Sequence, residues 1–231
     1  TAAHSKLVGT EIYINNRYKV GYYEEEIVND SVVNRTYIPV SSFIWTLNYK
    51  DGKHIFLNDV PGQARFWDNT YLSKTGTNDR TEYSTLTNTL GISLLEGFNK
   101  YAKAGLAAYA THQIRKYTQT TDTIDRITTL PEGLSPYPVS KVPHKSSENL
   151  LWIGAQLTKQ QGSLLRYNAT AQFGIAGPVA GDIDIDGNLS TRFKLFGDSV
   201  TLTAYGKFSN QEAPYLMNHY VSNHFIWEND F

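Results

Sequence analysis

The sequence predicts an all-β fold of antiparallel strands, and three observations carry that expectation. From Leu165 to Phe208, apolar and polar residues alternate through three segments joined by short turns. A period of two belongs to extended strands with one apolar and one polar face. These segments run to roughly twice the ~5–6 residues of an ordinary strand and near the ~9–11 that a tilted strand needs to cross a bilayer. Composition agrees. Aromatics are 13% of residues, with Tyr 16 ahead of Phe 10 and Trp 4, and Met appears once, a balance that favours sheet over helix.

Taken in order, Ile12, Ile14, Tyr18, Val20 and Tyr22 share a face opposite Glu11, Tyr13, Asn15, Arg17 and Lys19, a first strand expected to end at Glu24-Glu25-Glu26. Phe43, Trp45, Leu47 and Tyr49 oppose Ser42, Thr46 and Asn48 in a second. Lys50-Asp51-Gly52-Lys53 then reads as a hairpin turn, with a return strand at Ile55–Leu57. A loop from about residue 58 to 83 follows, around a short strand at Arg65–Trp67. Leu86, Leu90, Ile92 and Leu94 resume the alternation, and Ala102 to Ile114 return after a turn at residues 96–100. The Ala-rich middle of that segment fits a period of two better than 3.6.

Residues of about 118–147 form a second long loop, too rich in proline for a central strand, with Pro131, Pro136, Pro138 and Pro143. Leu151, Ile153, Ala155 and Leu157 come next, and a turn at 159–162 leads into the three alternating segments. The first sets Tyr167, Ala169, Ala171 and Phe173 against Arg166, Asn168, Thr170 and Gln172. The second sets Ile183, Ile185 and Leu189 against Asp182, Asp184, Asp186, Arg192 and Lys194. The third sets Val200, Leu202, Ala204 and Phe208 against Thr201, Thr203, Tyr205 and Lys207. A last strand is expected near Tyr220–Trp227. The whole, residues 1–231, reads as a single unit of about ten strands.

Several function classes fall away on composition. With 21 Lys+Arg against 22 Asp+Glu the net charge is -1, so there is no electrostatic footprint for nucleic acid. Cysteine is absent, which removes disulfides and Cys-based metal or redox sites. No run of about 18 apolar residues exists to make a spanning helix. A mean hydropathy of -0.40 is no obstacle to a membrane barrel, whose strands carry apolar residues only at alternate positions. The chain opens at Thr1 without Met or a leader, the expectation for a processed product or a piece of a longer protein.

Among motifs, Asp182-Ile-Asp-Ile-Asp-Gly187 matches the first half of a calcium loop. The twelfth position is Phe193 instead of Glu, and the pattern sits in a strand. The six histidines show no zinc spacing, and no Gly-x-Ser-x-Gly or phosphate-cradling loop occurs, so neither a catalytic residue nor a cofactor is expected. His219 and His224, five apart, fall on opposite faces of the expected last strand.

Period two does not say which face looks inward. A soluble sandwich hides the apolar face, whereas a transmembrane barrel turns it to lipid and lines its lumen with the polar one. Strand length favours the barrel. So does the charge along one polar face, which makes Arg166, Asp182, Asp184, Asp186, Arg192 and Lys194 candidate lumen-lining residues. Aromatics near strand ends (Tyr22, Tyr23, Trp45, Tyr49, Tyr117, Trp152, Phe225, Trp227) suit interfacial girdles. A secreted sandwich that binds carbohydrate or protein through Trp45 or Trp152 stays open on these residues.

Five stretches tip the balance: Arg35–Trp45, Leu86–Lys100, Leu165–Gly174, Phe193–Val200 and His219–Phe231. Through them the chain resembles the Bacteroidetes family of Putative porin outer-membrane β-barrel proteins. The resemblance implies an antiparallel transmembrane β-barrel of outer-membrane type in the bacterial outer membrane. Its partners would be membrane lipid, small solutes diffusing through a polar lumen, and other envelope proteins. Members of that family are longer, which implies that these residues are an internal segment of a larger barrel. The terminal Phe231 agrees, since the assembly signal of barrels wants an apolar residue two places earlier and Asn229 stands there.

Overall fold

The computed structural model describes residues 3–29, 32–61, 66–73, 75–98, 100–120, 144–162 and 164–229. Eight strands form one antiparallel sheet in chain order: β1 (His4–Asn29), β2 (Val32–Asn58), β3 (Thr77–Leu94), β4 (Gly105–Gln119), β5 (Lys145–Lys159), β6 (Leu165–Ala176), β7 (Ile183–Leu195) and β8 (Asp198–Asn210). A single helical turn, α1 (Tyr215–Asn218), and a small hairpin of β9 (His219–Val221) and β10 (Ile226–Glu228) complete the described chain. Among the described residues β1 and β8 each pair on one side only, so the sheet is open. No helix among the described residues is long and apolar enough to cross a membrane.

Period two survives in the register. Tyr18, Phe43, Ile92, Ala108, Ala155, Ala171, Ile185 and Phe208 stand opposite one another from β1 to β8, one apolar row across the sheet. One residue along, Arg17, Ile44, Gly91, Tyr109, Gly154, Gln172, Asp184 and Ser209 make the neighbouring row of the other face. On the apolar face the band runs over Ile12–Val20, Phe43–Tyr49, Leu86–Leu94, Leu106–Ile114 and Leu151–Leu157. Each of these is near or just under the ~9–11 residues of a tilted spanning strand. Beyond it the same face carries Lys53, Arg80, Glu82 and Lys116. Register shifts occur at Val20/Gly21, Ile27/Asn29 and Leu151/Trp152, at or outside the edges of that band.

Two kinds of close approach shape the wall. Gly52 faces Tyr83 and Gly154 faces Tyr109, and a Cβ on either glycine would fall 2.2–2.3 Å from the tyrosine ring. Each ring therefore lies across the backbone of the neighbouring strand. At the β7–β8 turn, Phe196 (φ 52) and Gly197 (φ 95) both sit at positive φ, the two-residue hairpin whose twist matches its strands.

Five expectations are corrected. Asp51-Gly52 is no hairpin: β2 runs straight through it, pairing Asp51 with Thr10 and Ser84, because both of its edges have partners and Gly52 is needed beneath Tyr83. Glu24–Glu26 do not end the first strand, since they pair with Thr36, Arg35 and Asn34, and Arg35 reaches Glu25 at 2.7 Å. Phe66 and Trp67 form no strand, and Arg65 lies outside the described residues. The last strand is instead α1 and the β9–β10 hairpin, which reverses at Ser222–Phe225 where Ser222 Oγ accepts from the backbone N–H of Phe225. The first long loop is also shortened, because β3 already begins at Thr77; most of the second, residues 121–143, lies outside the described residues.

Gly154→Val should lower the urea midpoint of the refolded protein by the equivalent of about 1–3 kcal/mol, the usual cost of overpacking. In a Tyr109→Ala background the same substitution should cost less, because the ring it displaces is gone; an unchanged cost in the double variant would show that the ring is not what excludes a side chain there.

Candidate functional site

The face that carries cover is the polar one. Apolar-face side chains stay bare: Leu90 is 64% exposed, Ile92 58%, Leu202 56% and Ile153 46%. Polar-face residues of β2 to β7, such as Ser42, Thr89, Thr111, Gln156 and Asp184, are buried or half-buried, whereas those of the edge strands β1 and β8 are exposed. Three pieces of chain lie against this face. The turn after β6 drops Val179 onto Leu150 and Trp152, a small dry cluster. Residues 66–73 and the segment from Glu212 to Asn229 cover the far ends of β3, β4 and β5.

Hydrogen bonds dock that last segment, alongside the buried Val221 and stacked rings. Gln119 acts as a substitute peptide: its Oε1 accepts from the backbone N–H of Val221 (2.9 Å) and its Nε2 donates to the carbonyl of His219 (3.1 Å). Asn223 is the hub. Its backbone N–H donates to Asp79 Oδ1 (2.7 Å), its Oδ1 accepts from the N–H groups of Leu72 and Ser73, and its Nδ2 donates to Ser73 O and Thr77 Oγ1. His224 Nδ1 faces the carbonyl of Asn69, which can only accept, so in the neutral ring Nε2 accepts from the Thr77 hydroxyl (2.7 Å). Trp67 stacks on His224 at 4.5 Å and Tyr117 on Tyr215 at 4.6 Å. Asp79 lies outside the apolar band. Burial pushes its carboxyl above the ordinary carboxylate range, against the pull of the Asn223 N–H and of His224.

The six candidate lining residues divide. Asp184 and Asp186 are half-buried on the polar face within the band; Asp184 accepts from Gln172 (3.3 Å) and lies 3.6 Å from Lys207. Asp182 is buried just before β7, where it accepts from the Glu212 backbone N–H and serves to hold the chain. Arg166 is exposed and donates to the Gly162 carbonyl, and Arg192 and Lys194 are exposed near the β7–β8 turn. The structure does not gather the six into one patch.

The calcium-loop match is strand, as its flanks suggested. His219 and His224 belong to different elements and not to one strand, and no group of His, Asp or Glu able to hold a metal exists among the described residues. Trp152 and Tyr117 are corrected as girdle residues: both are buried on the polar face. What the sequence did not disclose is the hub. Asn223, Gln119 and Asp79 lie in no motif, and their only signal was a polar run where a strand was expected.

Fold and site together define an antiparallel sheet protein that leaves its apolar face bare and dresses its polar one, the reverse of a soluble sheet. Its place among known proteins follows from the whole sequence: the chain belongs to the Putative porin family, whose model matches residues 1–231. Such a family implies association with a membrane. No curated protein and no solved structure matches the chain.

Asn223→Ala should strand several buried donors and acceptors at about 1–3 kcal/mol each and expose residues 215–229 to hydrogen exchange, while the β4–β5 ladder stays protected. Equal loss of protection in both would mean that the segment is not separately held. The raised Asp79 carboxyl has a pH consequence. Its contribution to docking is full below the free-carboxylate value of about 3.9 and is lost as pH rises through the raised value. Fluorine NMR of 5-fluorotryptophan at Trp67 should report looser docking with rising pH, and Asp79→Asn should remove that part of the dependence.

Proposed function

We propose that the protein is the wall of an outer-membrane β-barrel in a bacterium, a porin segment whose polar face lines a lumen through which small solutes diffuse. The observation that carries this reading is the bare apolar face that spans eight strands, broken within its band by Asn16, Asn88 and His112 and followed at one end by Lys53, Arg80, Glu82 and Lys116. In water a contiguous apolar surface of this extent would drive association; against hydrocarbon it is the favourable arrangement. The soluble alternative needs a second layer over Leu90, Ile92, Ile153 and Leu202, but the cover lies on the opposite face. Further strands pairing with β1 and β8 would close the barrel, because an unpaired edge in lipid leaves backbone groups unsatisfied.

On this reading transport needs no chemical step, only a pore of given width and charge. The Glu212–Asn229 segment would narrow the lumen near the ends of β3–β5. Asp184 and Asp186 would face the solute path, with Arg166, Arg192 and Lys194 at its other mouth. Envelope proteins that engage the barrel from outside would meet the exposed hairpin ends.

The two faces should respond oppositely to charge. Ile153→Arg, on the apolar face, should cost about 2–4 kcal/mol of stability in lipid with ion preference unchanged. Asp184→Lys should leave folding largely intact and shift the cation/anion preference in planar bilayers. A native protein that leaves cells in plain buffer without detergent would sink the reading outright.

A further inference from the structure

A small cavity of about 40 Å³ lies between the polar face of β4–β5 and the docked segment, lined by Arg115, Glu148, Glu212, Tyr215, Asn218 and His219 among others. Four buried polar atoms that have no hydrogen-bond partner belong to these residues: Glu148 Oε2, Tyr215 OH, Asn218 Oδ1 and His219 Nδ1. Asn218 is only 6% exposed; its Nδ2 donates to Ala213 O, which leaves Oδ1 unused beside the cavity. The Tyr215 hydroxyl has Ser146 nearby without completing a hydrogen bond. Orphans of this kind are few in folded proteins, and several around one void point to an occupant.

The chemistry of the lining selects that occupant. Glu148 Oε2 and Asn218 Oδ1 only accept, and Tyr215 OH and His219 Nδ1 can accept. The cation at hand is Arg115, the cross-strand partner of Glu148, but its Nε donates to Gln113 at 2.6 Å, and no ion pair within 4 Å joins it to Glu148 among the described residues. Glu148 lies outside the apolar band, and burial pushes its carboxyl up, against the pull of Arg115 and of a hydrogen bond with Tyr117. Glu212 adds a second carboxylate to the rim. Divalent ions bind ligands at about 2.0–2.6 Å, and no three His, Asp or Glu side chains among the described residues are close enough for that. An ion whose contacts fall at hydrogen-bond length, roughly 2.7–3.2 Å, suits a wider set. The volume admits one such ion, with a water at most.

We propose that this cavity is a binding site for a weakly hydrated monovalent cation of ammonium or potassium size, which neutralises Glu148 and pins the Glu212–His219 segment to the wall. Ammonium has four N–H donors for the four orphan acceptors; potassium would use the three oxygens and leave His219 Nδ1 aside. The site is independent of whether the barrel conducts.

Thermal unfolding of the detergent-solubilised full chain, at one ionic strength, decides the matter. Ammonium or potassium chloride should raise the midpoint by about 2–4 °C over N-methylglucamine or lithium chloride, saturating with concentration. Glu148→Gln and Asn218→Leu should abolish the rise, and His219→Phe should weaken the ammonium response more than the potassium one. Identical midpoints for the wild type in all four salts would overturn the proposal, whatever the variants do, and would leave the cavity to water. A cation-specific rise that persists in Glu148→Gln would overturn it as well, by placing the ion elsewhere.

Discussion

Register is the constraint on which the rest of this molecule depends. Side chains in a strand alternate faces, so a slip of one residue between any two neighbours would turn that strand's whole apolar set to the other side. In this sheet eight strands keep one register through the apolar band, and the row from Tyr18 to Phe208 contains no polar member. Irregularities fall at the band's edges or beyond them. On the proposed membrane reading that placement is favourable, because a bulge leaves a backbone group unpaired and at the margin water can satisfy it. The Gly–Tyr pairs serve the same end: Tyr83 over Gly52 and Tyr109 over Gly154 couple neighbouring strands at a fixed offset.

A sheet that leaves its apolar face bare must hold the cover on its other face by other means. Among the described residues, the cluster of buried apolar side chains Leu150, Trp152 and Val179 is small. The docked segment is held by Asn223, Gln119, Asp79 and Thr77 instead. Such a network is directional, so it fixes one placement of the segment, and it fails sharply when one member is lost. Asn223 is its least replaceable part, since Oδ1 receives two backbone donors while Nδ2 serves two acceptors. Aspartate could supply the first function and not the second.

How much of this was legible from the sequence depended on whether a residue's role was periodic. β6, β7 and β8, with their turns, could be read from alternation and fall within a few residues of their observed ends. The facing of every apolar residue in them followed too. Asp51-Gly52 misled because a turn signal is local, while Gly52 is a glycine for the sake of Tyr83, a residue thirty-one positions away by sequence number (83 − 52). Glu24–Glu26 misled for a related reason: a charge run looks like a boundary until Arg35 is known to lie across from it. Trp152 looked like an interfacial aromatic, yet its even-numbered position in β5 puts it on the polar face beneath Val179, a fact the alternation of Leu151 and Ile153 already contained. The hub around Asn223 had no periodic signature at all, since it joins three stretches distant in sequence.

The same logic revises which charges could matter along the polar face. Three aspartates spaced by two stood among the candidate lining residues, but Asp182 is occupied in holding Glu212 and Asp184 is shared between Gln172 and Lys207. In ladder terms Asp186 also faces Lys207, so β8 offsets much of the negative charge of β7. At the opposite edge of the sheet, Arg17 and Lys19 on β1 occupy the same two rows as Asp184 and Asp186, and no ion pair engages them among the described residues. A compensated acidic edge facing an uncompensated basic one makes a field across the polar surface rather than a uniformly acidic wall. Coulomb energies fall with distance and are screened beyond about 8–10 Å in salt. A charge near β1 therefore feels Arg17 and Lys19 more strongly than anything on β7, and the polar face carries no single sign of field.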